Sequence, residues 1–121
     1  MKHPRCRTVS IAMHPFAWLL LVIHCGGDPE LGPPTGSTCP QNSSLTYVNF
    51  GKRFLDANCV GCHGPRSPAL SDQASVQAAW DRIYRMAAAG PNAINTAMPK
   101  DHGVSTDERL KLGEWLACGA P

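Results

Sequence analysis

The chain has 121 residues, enough for one domain, with 11 Pro and 11 Gly that leave room for only a small core. At 43% hydrophobic and 17% charged residues it is neither a disordered polyelectrolyte nor a membrane bundle. The net charge of +2 hides an asymmetry. Lys2, Arg5 and Arg7 precede residue 25, whereas from residue 26 onward eight Lys and Arg face nine Asp and Glu, so the body is near neutral and a basic nucleic-acid surface is excluded. So small and loop-rich a body calls for a staple such as a metal, a cofactor or a disulfide.

The first element is an address. A basic start is followed by the apolar run Phe16 to Ile23. As a helix that run rises about 12 Å, too short for a hydrocarbon core of about 30 Å. A basic segment before a short apolar one predicts an export signal over residues 1–24. Val22-Ile23-His24-Cys25 resembles a bacterial lipobox, in which Cys25 is lipidated and becomes the mature N-terminus; His24 departs from the small residue usual there. Ordinary signal cleavage and an uncleaved anchor are the alternatives. Cys6 falls within the signal. The expected location is the periplasmic side of a bacterial membrane, an oxidising compartment that permits disulfides.

Residues 25–44 follow, rich in Pro and Gly and poor in apolar side chains, and read as a tether. The folded domain is expected over 45–121. Tyr47, Val48, Phe50, Phe54 and Leu55 give a first apolar helical face reaching Asn58. A second helix is predicted from Ala74 to Ala89, carrying Val76, Trp80, Ile83, Tyr84 and Met86 and stopped by Gly90-Pro91. Trp80 and Tyr84 are expected in its core face and Arg82 and Arg85 on its solvated face. Ser105-Thr-Asp-Glu108 is a capping-box sequence opening a third helix, with Leu110, Leu112, Trp115 and Leu116 as its apolar positions. Loops run from Gly64 to Ser71 and from Pro91 to Val104, and Lys100-Asp101-His102 reads as exposed turn. With about three helices and no convincing strand, the expected class is all-α.

The chemistry resides in Cys59-Val60-Gly61-Cys62-His63. Two thiols with two residues between them match the spacing of the haem vinyl groups, and the next residue, His63, can ligate the iron. The same C-x-x-C could be half a zinc site, with His102, Cys39 or Cys118 as further ligands, or a redox dithiol. A second iron ligand is expected in Met98, 35 residues after His63 in Asn95-Thr-Ala-Met98-Pro99, with His102, Met86 or an open position as the alternatives. A soft thioether favours Fe(II) and raises the potential. Its small polar neighbours make Met98 a poor core residue, while Met86 reads as core filler.

Taken together, these motifs resemble a small class I cytochrome c over Leu45 to Gly119. The resemblance implies a cytochrome c-like fold around one covalent haem c, with Cys59 and Cys62 as attachment points and His63 and Met98 as axial ligands. Gly51 matches the glycine at which that family's N-terminal helix meets an aromatic of the C-terminal helix, here Trp115. The aromatic often found four residues before the first Cys is replaced by Leu55, with Phe54 beside it. Pro68 matches the residue whose carbonyl orients the axial His. With Cys59 and Cys62 given to haem, Cys39 and Cys118 are expected to pair, unpaired thiols being the alternative. The implied role is a one-electron carrier, not an enzyme, that serves redox proteins or membrane oxidoreductases, binds no nucleic acid and touches the membrane only through its N-terminal lipid or anchor. Two alternatives remain: a ligand-binding sensor or peroxidase-like protein with a displaceable Met98, and a thiol- or zinc-clipped binding module.

Overall fold

The computed structural model describes residues 30–100 and 103–121. The expected signal, the lipidation site Cys25, Cys6, the first residues of the tether and His102 lie outside the described residues. Among the described residues the protein is all-α: an isolated bridge between Ala89 and Ile94 is its one β-type pairing. No helix among them is long and apolar enough to cross a membrane.

A π-helical turn, Tyr47–Gly51, runs directly into α1, Lys52–Asn58. Thr46 starts it with a capping box, its hydroxyl accepting from the Asn49 amide while the Asn49 side chain accepts from the Thr46 amide. The Gly51 amide reaches back five residues to the Thr46 carbonyl, widening the turn. The added residue shifts the register, so Phe50, Phe54 and Leu55 are buried while Val48, expected on the same face, is 87% exposed.

After the single turn α2, Val60–His63, the expected second helix arrives in two pieces. Asp72 caps α3, Gln73–Ala78, and a break at Ala79 separates it from α4, Trp80–Ala87. The second piece stops short of Gly90 because the chain turns extended at Ala88 and is claimed by tertiary bonds: Ala89 donates to the Arg109 carbonyl and Asn95 to that of Ala88. Met86 and Tyr84 are buried as expected, but Trp80 is 46% exposed and belongs to the surface.

Ser105 caps α5, Thr106–Ala117, through the Glu108 amide. Its inner face carries Leu112, Gly113, Trp115 and Leu116, with Arg109 in place of the expected Leu110, which is 43% exposed. Trp115 is fully buried against Phe50, edge to face at 5.9 Å, and against Gly51, where a Cβ would overlap its ring. The close approach expected between first and last helices is therefore present. Past α5, Gly119 and Ala120 take positive φ, and the Ala120 amide caps the Trp115 carbonyl.

The body also begins earlier than Leu45. Residues 31–44, expected as a free tether, lie along it as a strap. Gly32 donates to the Arg85 carbonyl and accepts from Arg85 Nε at 2.8 Å, so Arg85 clamps the strap instead of facing solvent. Thr35 is fully buried, and its carbonyl takes the Asn92 amide. Ser37 donates its amide to Tyr84 Oη at 2.8 Å and its hydroxyl to the Ala89 carbonyl at 2.9 Å. Cys39 then bonds Cys118, with 4.7 Å between Cα atoms, joining the strap to the end of α5. Composition misleads here because backbone bonds and small residues hold this segment, not apolar side chains.

Candidate functional site

The Cys59–His63 turn hangs from the end of α1. The Cys59 amide bonds the Leu55 carbonyl, and the Cys62 and His63 amides both return to the Cys59 carbonyl. One helical turn thus presents both thiols and the imidazole. Cys59 and Cys62 are free thiols, the first half-buried against the core and the second exposed. Burial pushes the Cys59 thiol up to about 11, because the interior disfavours the thiolate. At the exposed Gly61 between them a Cβ would meet nothing, so the outer side of this turn is open.

His63 is fixed from the following loop. Its carbonyl accepts the Leu70 amide at 2.9 Å, and buried Leu70 anchors that loop in the core. The loop brings the Pro68 carbonyl within 3.1 Å of His63 Nδ1. A carbonyl only accepts, so Nδ1 carries the proton and Nε2 is the nitrogen with a free lone pair. Such a bond orients a ligating imidazole and raises its basicity. The Pro68 contact expected from the sequence is in place.

Met98 sits on the loop that follows α4, and its side chain, expected away from the core, packs half-buried against it. Its peptide group is held on both sides: the amide donates to the Met86 carbonyl at 2.9 Å, and the carbonyl accepts from Arg109 Nη1 at 2.8 Å. The same nitrogen reaches the Ala87 and Asn95 carbonyls at 2.7 and 2.8 Å. Arg109 is 4% exposed, and burial draws its guanidinium below the ordinary value. Asn95, also buried, donates to the Pro33 carbonyl at 2.9 Å and ties the loop to the strap. Neither Arg109 nor Asn95 is singled out by motif reading. The available signal was an arginine spaced three and seven residues before Leu112 and Leu116, on the apolar stripe of α5.

A hollow of about 570 Å³ opens elsewhere, between Ser37, Cys39, Trp80, Tyr84 and Leu116, and takes nothing from the Cys59–His63 turn. Among the described residues no group of three or more His, Cys, Asp or Glu forms a ready metal cage. The donor chemistry is that which a haem would use: two unpaired thiols on one turn and an imidazole oriented by a carbonyl, and, on a separate restrained loop, a thioether. The chain matches no protein-family model, no curated protein and no solved structure.

Proposed function

We propose that this protein is an exported one-electron carrier of the small class I cytochrome c type, with haem c on Cys59 and Cys62 and with His63 and Met98 as axial ligands. The observation that carries the reading is the Cys59–His63 turn, with its thiols unpaired and Nδ1 of His63 bonded to the Pro68 carbonyl. Haem would supply reversible exchange of one electron between Fe(III) and Fe(II), and the residues around it do the rest. Cys59 and Cys62 would hold the macrocycle by thioether bonds. Pro68 sets the plane of the imidazole, and the restrained loop offers the Met98 thioether, whose softness favours the reduced state. With His63 and Met98 both given to the iron, a haem held here would favour electron transfer over bond-making on a substrate, and the small residues Val60 and Gly61 would leave its attachment open. The partners on this reading are redox proteins or membrane oxidoreductases.

The competing clips are weakened by two observations. Cys39 and Cys118 are bonded to each other and so are withdrawn from any zinc site with Cys59 and Cys62. A helix, α1, precedes the C-x-x-C, where a thioredoxin-like dithiol follows a strand.

The test is a visible spectrum of the full chain matured with a c-type haem system, recorded oxidised, reduced and after a denaturant wash. Haem that survives the wash, with the weak far-red band of an Fe(III)–thioether bond, is the expected result. Covalent haem with a high-spin spectrum would favour the displaceable-Met98 alternative. Loss of all haem on washing would refute the assignment.

A further inference from the structure

Arg109 is placed at a cost that helix packing does not repay. A guanidinium 4% exposed on the inner stripe of α5 loses most of its hydration. Its bonds among the described residues run to backbone carbonyls and not to a carboxylate. These carbonyls belong to Ala87, Asn95 and Met98, and they converge on the two protons of Nη1. The backbone carbonyl of Arg109 in turn accepts from the Ala89 amide, so this single residue bonds the segment 87–98 at four places. The aliphatic residues of the same face, Leu112 and Leu116, fill the core without making any such bond. What Arg109 adds is restraint of the loop that carries Met98.

Resting on the haem reading above, we propose that Arg109 is a positioning residue for the sixth iron ligand: its guanidinium latches the Met98 peptide and keeps the thioether at the iron against competing ligands. The latch acts on a ligand exchange in which the Fe–S bond breaks and an outside donor bonds the iron in its place, with no electron transferred. Its strength is therefore read as the apparent affinity for an added ligand, since every displacement must first release the Met98 loop.

The experiment titrates imidazole into the oxidised, haem-loaded full chain and follows loss of the far-red band, for the parent and for Arg109→Met, Arg109→Lys and Val76→Ala. Val76 is fully buried on α3 and none of its bonds reaches Met98, so its truncation loosens the fold without touching the latch. Removing a charged donor from its acceptors is expected to raise the imidazole affinity of Arg109→Met about tenfold or more. Arg109→Lys, which keeps one charged donor, should fall between parent and Arg109→Met. Val76→Ala should lower the denaturation midpoint and leave imidazole affinity where it was. If Arg109→Met fails to mature, Arg109→Lys decides the matter by the same titration. Unchanged affinity in the Arg109 variants, or an equal rise in Val76→Ala, overturns the latch alone. A parent that shows covalent haem but no far-red band overturns the assignment of Met98 and the latch with it.

Discussion

At the scale of single residues, the two thiols of the Cys59–His63 turn are chemically unequal. Cys59 is half-buried and held at about 11 against an ordinary 9.0, so below pH 9 its thiolate fraction is about a hundredfold below that of an ordinary thiol. Cys62 is exposed. Of the two thiols of this turn in haem-free protein, Cys62 and not Cys59 is therefore expected to be labelled by brief iodoacetamide treatment at pH 8, by peptide mass mapping; equal labelling of the two would contradict the burial of Cys59. The same shift has a consequence for stability. A thiol whose folded value lies above its unfolded one binds its proton more tightly when folded, so its stabilisation is complete below pH 9 and is lost as pH rises through 11. Cys59→Ala should flatten the fall in the haem-free denaturation midpoint over that window. The chemistry of this turn was legible because its residues are contiguous in the chain and the spacing of the donors is itself the signal. Arg109 was not legible in that way, since its three acceptors come from positions 87, 95 and 98 and meet only after the loop has folded.

At the scale of elements, the junction of Gly51 with Trp115 decides how closely the first and last helices meet. Trp115 is fully buried beside Phe50 and has no space to yield, so a methyl group at Gly51 must push α5 outward. Gly51→Ala is expected to destabilise by about 1–3 kcal/mol, the usual cost of overpacking a core. Trp115→Phe alone should also destabilise, through the volume it removes. Combined, the two changes should cost less than their sum, and urea unfolding of all four proteins measures that coupling. Plain additivity would mean that the contact is not the limiting one. The helices at this junction were readable from apolar spacing, and the Ser105 cap from its sequence. The early end of the middle helix was not. Alanine is the strongest helix former, and nothing local in Ala87-Ala88-Ala89 indicates a stop. The helix ends there because Arg109 and Asn95 take up the backbone groups of Ala88 and Ala89.

For the molecule as a whole, the strap turns a small helical body into a closed one. Residues 31–44 cross α4 and the Met98 loop, bonding Arg85, Tyr84, Ala89 and Asn95 on the way, and end in the Cys39–Cys118 disulfide. Few of these bonds involve apolar contact, so the strap has little hydrophobic drive of its own, and composition alone gave no sign that it was part of the fold. The disulfide closes a loop with a sequence separation of 79. In the chain-entropy picture a loop that long destabilises the unfolded state by about 4.5 kcal/mol. That is a large share of the 5–15 kcal/mol by which domains of ordinary size are stable. The double variant Cys39→Ser, Cys118→Ser is thus expected to unfold at a much lower urea concentration than the parent, and the parent in excess dithiol should match it. Cys39 is exposed, so the reductant has access. A restraint on the unfolded chain leaves native bonds unchanged, so on the proposed haem reading the variant's far-red band should persist at low urea and vanish together with the helical signal. If the band is lost first, the strap acts on the Met98 loop in the folded state, through the Asn95 bond to Pro33.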